Sequence, residues 1–277
     1  MLTLRWGSAT DVGRVRSLNE DSLLAVPGLF VVADGMGGHA AGEVASQLAV
    51  AEFARLAQQG PARAEDLVDT VVRANEHILQ AGAEHGEQFG MGTTLTGIGV
   101  VGGEHGEQLA VFNVGDSRVY RFAGGQLDQL TVDHSAVQEL VDAGQLTARA
   151  ARFHPRRNVV TRSLGSNPGP APDVWLLPPI PGDRFLICSD GLTGELEDAE
   201  IAELLGANPD PQAAADALVR RANEVGGHDN VTTVVMDVLE VVAEPQVDAT
   251  AAEPPADTAA MPADAAPTAQ LPIVGRD

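Results

Sequence analysis

A single cysteine, Cys188, stands in 277 residues, so no disulfide can form within the chain, which suits a reducing compartment. Basic residues are also few: 17 Lys and Arg face 39 Asp and Glu, for a net charge of −22. A surface of that sign repels phosphate backbones and anionic headgroups, which argues against nucleic acid or an anionic membrane as the main partner. No apolar run approaches the ~20 residues needed to span a bilayer. The opening MLTLRWGSATDVG has no apolar h-region of a signal peptide. The expectation is a cytoplasmic protein with no membrane segment in this chain. With 44% hydrophobic residues there is ample material for the core of one large domain or two small ones.

The stretch that organises the rest is Leu29 to Gly42, LFVVADGMGGHAAG. Its apolar, β-branched start reads as a short buried strand that stops at Asp34. Four glycines and an alanine-rich helical pattern follow. A carboxylate at the end of a rigid strand, beside backbone that permits close approach, is well placed to bind a cation. Taken alone, Asp34 reads equally well as a helix cap at a strand–turn–helix junction.

Periodicity predicts strands at Thr3–Ser8, Asp21–Val26, Gly92–Val101, Gln108–Val114, Ser117–Phe122, Arg184–Cys188 and Val231–Val238. It predicts helices from Ala41 to about Gln58, from Leu67 to near Gly82, after Ser135, and over Asp198–Leu205. A further helix, capped by Asp210 with Pro211 at its first position, runs to about Asn223. Gly144 to Gly165 is weakly patterned and rich in arginine, and reads as a mobile segment on the surface. From Glu244 the composition turns to Ala, Pro, Asp and Thr without aromatic residues, the signature of disorder. The expected division is a folded domain over 1–243 and a disordered tail over 244–277, the fold being α+β with antiparallel sheets enclosed by helices.

Four segments deliver an aspartate beside or near a glycine at a strand end: VVADG (Asp34), NVGDS (Asp116), LICSDG (Asp190) and GGHDN (Asp229). Any one of them reads as a turn residue. Four together, with Glu20 and Asp21 beside Arg16, would repel one another unless cations neutralised them. All-oxygen ligation points to Mg²⁺ or Mn²⁺ rather than zinc, and the separated His39, His134 and His228 form no zinc pattern.

The ordered set RSLNED, VVADGMGGHAAGE, GTTLTG, NVGDSRVYR, LICSDG and GGHDNVT, from about Ala9 to Val238, resembles the metal-dependent serine/threonine protein phosphatases of the PPM (type 2C) family in their compact bacterial form. The resemblance implies a four-layer α-β-β-α sandwich of two antiparallel sheets flanked by helices, with two Mn²⁺ or Mg²⁺ at one end and a third site in bacterial members. It implies that Asp34 bridges both core metals, that Asp190 and Asp229 complete the first, and that the Gly35 carbonyl and Asp21, or the acid at Glu20, serve the second. Asp116 with Asp190 would hold the third. Arg16 would grip the substrate phosphate, and Asn230 would support the Asp229 loop. Gly144 to Gly165 matches a variable flap. Some members carry a histidine proposed as general acid where this chain has Met36, so the leaving-group acid is unassigned. His39 is a candidate for the site, and reads equally as a residue packing on the turn.

Such a site hydrolyses phosphoesters by attack of a metal-bridging hydroxide, with no covalent intermediate. The expected substrates are phosphoserine and phosphothreonine on proteins, a serine/threonine kinase and its substrates among the partners, and the chain acting as a monomer. The alternatives are a phosphatase of one transcription regulator of the anti-sigma-antagonist type, and a non-catalytic scaffold of the same fold that has lost its metals.

Overall fold

A computed structural model describes residues 2–37, 41–60, 63–84, 90–103 and 106–241. The expected tail from Glu244 lies outside the described residues. Eleven strands and seven helices are found among those described. One sheet is built from β1 (Leu2–Asp11), β11 (Val231–Val241), β10 (Arg184–Cys188), β7 (Arg118–Ala123) and β8 (Gln126–Gln129), in that order. The other runs β2 (Asp21–Val26), β3 (Leu29–Met36), β5 (Leu95–Gly103), β6 (Gly106–Val114) and β9 (Asp173–Leu177), with the two-residue β4 (Gly92–Thr93) paired to the end of β3. Neighbouring strands are antiparallel throughout.

The layers follow from where the apolar side chains go. Strand residues alternate faces, so each sheet offers one face to the other and one to helices. Phe30, Val32, Ile98 and Val111 from one sheet meet Phe185, Ile187, Val234 and Met236 from the other in a core between the sheets. Trp6 seats edge-on against Phe30 across that interface, ring centroids 5.5 Å apart. On the outer face of the second sheet, Leu29, Val31 and Phe112 pack under α1 (Ala41–Gln59) and α2 (Ala64–Glu84). On the outer face of the first, Leu186, Val231 and Val235 pack under α5 (Asp190–Glu195), α6 (Asp198–Ala207) and α7 (Pro211–Val225). Three cores thus separate four layers, the α-β-β-α sandwich expected. Fully burying each such side chain contributes about 1.5–3 kcal/mol.

Most elements lie within a few residues of their predicted bounds, and both predicted caps form: Ser135 accepts from Gln138 N ahead of α3 (Ala136–Asp142), and Asp210 accepts from Ala213 N. The differences are informative. β3 does not stop at Asp34 but continues to Met36, because Gly35 and Met36 pair with Thr93 and Gly92. Asp34 is therefore a residue within a strand, with two further strand residues after it, so Asp34 is no helix cap. The predicted strand Gly92–Val101 is two, broken at Thr94. β8 and β9 were not predicted. β8 is short and mostly exposed, and β9 lies among the prolines between Pro168 and Pro181, where the turn signals mask it. Within Gly144–Gly165 a short helix, α4 (Ala148–Ala151), is capped by Thr147, and the chain beyond is tied down where Leu164 exchanges backbone bonds with Thr93.

Candidate metal centre

Two sheet ends and one loop build the cleft. Asp21, at the start of β2, sits in register with Asp34 on β3. Asp116 follows β6, Asp190 opens α5 directly after β10, and Asp229 precedes β11. A cavity of about 280 Å³ is lined by Arg16, Glu20, Asp34, Gly35, Asp116, Asp190, Asp229 and Asn230, with Met36, Gly37, Thr94, Asn158 and Val160. Every candidate among the described residues except Asp21 lines that cavity directly. Asp21 lies just beneath it, buried, with its Oδ2 accepting from Ser189 Oγ at 2.8 Å. His39 lies outside the described residues.

Close backbone packing places these groups. A Cβ on Gly35 would meet Gly42 O at 2.2 Å and Glu20 O at 2.5 Å, so only glycine lets β3, the head of α1 and the Glu20 loop converge there. A Cβ on Gly191 would meet Asn230 O at 2.0 Å, which brings the Asp190 and Asp229 turns together in the same way. Asn230 is the clip of the third loop. Its Nδ2 donates to Val12 O and Leu18 O, both at 2.9 Å, and its Oδ1 accepts from Glu20 N at 2.9 Å. One side chain thereby gathers the 12–20 loop that carries Arg16 and Glu20 against the Asp229 turn.

The electrostatics are those of crowded, desolvated carboxylates. Burial pushes Asp21 up to about 7, with Asp190 and Asp229 adding repulsion against the bonds from Thr232 and Ser189. Asp34 is raised well above the usual carboxylate range, by burial first and then by Asp21, Asp190, Asp116 and Asp229. Asp116 is raised likewise by burial and by Asp190, and Asp190 by burial and by Asp229, while Asp34 hydrogen-bonds Asp190. Glu20 is raised by burial, with Arg16 opposing. Arg16 is half-exposed at the rim, its Nη2 donating to Asp229 Oδ2 at 2.7 Å.

Among the described residues, two buried carboxylate oxygens, Asp21 Oδ1 and Glu20 Oε1, have no well-formed hydrogen bond, although the nearby backbone N–H of Gly42 eases the charge on Glu20. Among the described residues no three acidic, histidine or cysteine side chains close on one point as a finished cage. Asp229 instead divides its oxygens between Arg16 and the backbone N–H of Asn230. What the cleft offers is an all-oxygen donor set with buried lone pairs to spare, which fits a hard divalent cation and not a soft one.

Several supporting residues escaped the sequence reading. Thr94 accepts from Asp34 N at 3.0 Å and donates its own N–H to Asp34 O at 2.9 Å, fixing the strand around the central carboxylate. Its signal was present in the GTTLTG stretch. Ser189 stands at the N-cap position of α5 yet makes no cap bond, because its hydroxyl donates to Asp21 and accepts from Thr232 N. His134 was read only as no zinc ligand. Its Nδ1 accepts from Gly115 N at 3.0 Å, so Nε2 carries the proton and donates to Asp173 Oδ2 at 3.0 Å. The ring so held fixes the backbone one residue before Asp116, and no local pattern announces it, since Asp173 lies 39 residues on in the unpredicted β9.

The protein phosphatase 2C family model matches residues 14–239. The chain is 42% identical over 243 residues to the serine/threonine protein phosphatase PstP of Mycobacterium tuberculosis, covering 86% of this chain and 46% of PstP, so it spans about half the length of that relative. It is 36% identical over 243 residues to the serine/threonine phosphatase stp of Listeria monocytogenes, covering 82% of this chain and 93% of that protein. Among solved structures, the catalytic domain of PstP in complex with two manganese ions superposes with a TM-score of 0.79 at 39% identity, over 87% of this chain and 100% of that one.

Proposed function

The chain belongs to the protein phosphatase 2C family, and from that membership we propose that it is a Mn²⁺- or Mg²⁺-dependent phosphatase hydrolysing phosphoserine and phosphothreonine on proteins. The observation that carries this reading is the gathering around one cleft of buried Asp21 and Asp116 with part-buried Asp34 and Asp190, each carboxyl's proton affinity raised by desolvation and by its neighbours. A fold tolerates that repulsion where cations relieve it. We assign Asp34, Asp190 and Asp229 to one cation, Asp34, the Gly35 carbonyl and Asp21 or Glu20 to a second, and Asp116 with Asp190 to a weaker third. Bound there, the cations supply an activated water and neutralise charge on the phosphoryl oxygens.

The chain's own residues do the rest. Arg16 exchanges its Asp229 oxygen for a phosphate oxygen by side-chain rotation at the rim, and its planar fork suits a tetrahedral oxyanion. Asn230 keeps Arg16, Glu20 and Asp229 in one constellation. A covalent route lacks a nucleophile. Cys188 is fully buried with its thiol pushed up to about 12, Ser189 is committed to Asp21 and Thr232, and Ser117 bonds Thr94 at 2.8 Å. A metal-free scaffold is disfavoured because Asp34, Asp190 and Asp229 are all present. The partners on this reading are phosphorylated proteins, a serine/threonine kinase and its substrates among them, met by a monomer in the cytoplasm. No described helix is long and apolar enough to cross a membrane.

The test is phosphate release from phosphothreonine and phosphotyrosine peptides with Mn²⁺, with Mg²⁺ and with excess chelator. Turnover of phosphothreonine, lost with chelator and restored by metal, is expected. Undiminished turnover in chelator refutes the reading.

A further inference from the structure

A second cavity, of about 750 Å³, adjoins the carboxylate cleft and shares Asp116, Asn158 and Asp190 with it. One wall is α4 and the turn after it, bearing Arg149, Arg152, Phe153 and Arg157. All 17 basic residues of this acidic chain are arginines, and five of them fall between Arg149 and Arg162. The chain thus concentrates scarce positive charge beside a site that already holds its densest negative charge.

The opposite wall carries acids, and their partners decide the balance. Asp133 is held two-pronged by Arg118, Nε to Oδ1 at 2.8 Å and Nη2 to Oδ2 at 2.6 Å, so that pair is internally neutral. Glu197 and Asp198 stand at the N-cap and first turn of α6, where the helix dipole offsets their charge. Asp198 also accepts from Tyr120 Oη at 3.2 Å. Asp116 and Asp190 face the cations of the proposed centre. On the α4 wall, Arg152 donates to Leu196 O at 3.1 Å, a neutral partner, and among the described residues Arg149 and Arg157 form no ion pair. Phe153, between them, is 76% exposed. An exposed phenyl ring flanked by unpaired guanidinium groups, on the lip of a groove that opens into the reactive cleft, is a surface built to meet a chain.

We propose that this groove docks the polypeptide flanking the phosphorylated residue, and that it selects anionic segments. Arg149, Arg152 and Arg157 meet carboxylates or a second phosphate there, and Phe153 covers an apolar side chain of the same segment. The proposal rests on the phosphatase reading and names the substrate class of that site.

Four phosphothreonine peptides decide it, with flanks that are neutral, glutamate-rich, phosphorylated a second time, or lysine-rich, with p-nitrophenyl phosphate as a substrate that has no flank. An exposed guanidinium–anion pair changes binding by about two- to fivefold, so a roughly tenfold advantage in kcat/KM over the neutral peptide, carried by KM, is expected for the anionic flanks. The larger of the two anionic advantages identifies carboxylate or phosphate as the preferred partner. Arg149→Ala/Arg157→Ala should erase the advantage and leave p-nitrophenyl phosphate turnover unchanged; both residues are exposed, and melts matched to the parent confirm folding. Equal kcat/KM for all four peptides, a lysine-rich preference, or a preference that survives in the double variant overturns the proposal. A parallel arm reads binding of a fluorescent, unphosphorylated glutamate-rich peptide by anisotropy. Absent turnover of every substrate refutes the phosphatase reading, whereas absent peptide binding, or binding unchanged in the double variant, refutes the groove.

Discussion

Crowded carboxylates should make the metal-free protein less stable as pH rises through neutrality. Asp21 is 8% exposed and pushed up to about 7 by burial, from an ordinary value of about 3.9. Between those values the folded state holds a proton that the unfolded state has released, so the stabilisation it gives is present at lower pH and lost as pH rises through the folded value. For a group titrating at about 7, the loss between pH 6 and pH 8 comes to about 1.4 kcal/mol. In a chain of this size that is a fall of about 3–6 °C in melting temperature. Asp34, Asp116 and Asp190 are raised as well and act in the same direction. Saturating Mn²⁺ should reverse the sign, because cations bind the ionised carboxylates, and at one hundred times its dissociation constant each should add about 2.7 kcal/mol. Asp34→Asn, which removes the carboxyl on which the repulsion of Asp21, Asp190, Asp116 and Asp229 converges, should melt higher than the parent at pH 8 in chelator, while losing nearly all turnover with metal. The assay is thermal melting in EDTA and in Mn²⁺ at intervals from pH 6 to pH 8. A flat or rising melting temperature with pH in EDTA would refute the claim that these carboxylates are forced together.

His134→Ala should cost about 1–3 kcal/mol, since it strands the buried Gly115 N–H, and should weaken the proposed Asp116 metal site in calorimetric titration; normal stability and stoichiometry together would remove its positioning role. Arg184→Met should cost about 3–5 kcal/mol by leaving the buried Asp237 and Pro209 O with Arg5 alone and freeing the carbonyls of Leu205 and Asn208. Adding Asp237→Leu should restore much of that loss in urea unfolding, and a double variant no better than the single would contradict it. Cys188 should resist iodoacetamide at pH 8 in the native protein and react on unfolding, because burial holds its thiol at about 12; fast native labelling read by mass spectrometry would contradict its burial.

The parts of the fold legible in the sequence are those whose signal is local. β2 read clearly from its alternation and β3 from the compact apolar run LFVVA, and the Asp210–Pro211 pair marks the start of α7 to the residue. β9 was hidden because its only partner among the described residues is β6, some sixty residues earlier, and the prolines on either side of DVWLL give turn signals that mask its apolar residues. The site divides along the same line. Asp34, Asp116, Asp190 and Asp229 were visible as strand-end aspartates beside or near glycines, and the cleft gathers all four. Of the groups that orient them only Asn230 was anticipated, through the family resemblance, as support of the Asp229 loop; its bond to Val12, and those of Ser189 to Asp21 and His134 to Asp173, are pairings fixed only by the tertiary fold.

Charge placement also separates framework from function. Arg184 and Asp237 are both buried, yet each polar atom between them is answered, by the pair itself, by Arg5 and by three carbonyls. Arg121 meets Asp183 and Arg118 meets Asp133 in the same two-pronged way. These pairs sit on the first sheet and at its rim, where they specify how it joins the helices and loops around it. At the mouth of the cleft the rule is broken: carboxylates face carboxylates, oxygens go unanswered, and the nearby arginine is half-exposed at the rim rather than buried among them. A chain able to neutralise Arg184 and Arg118 so fully had the means to pair Asp34 as well. That it leaves these acids without a cationic side chain among them, while Thr94, Ser189 and Asn230 hold them in place, makes the imbalance a property of the site rather than a defect of packing.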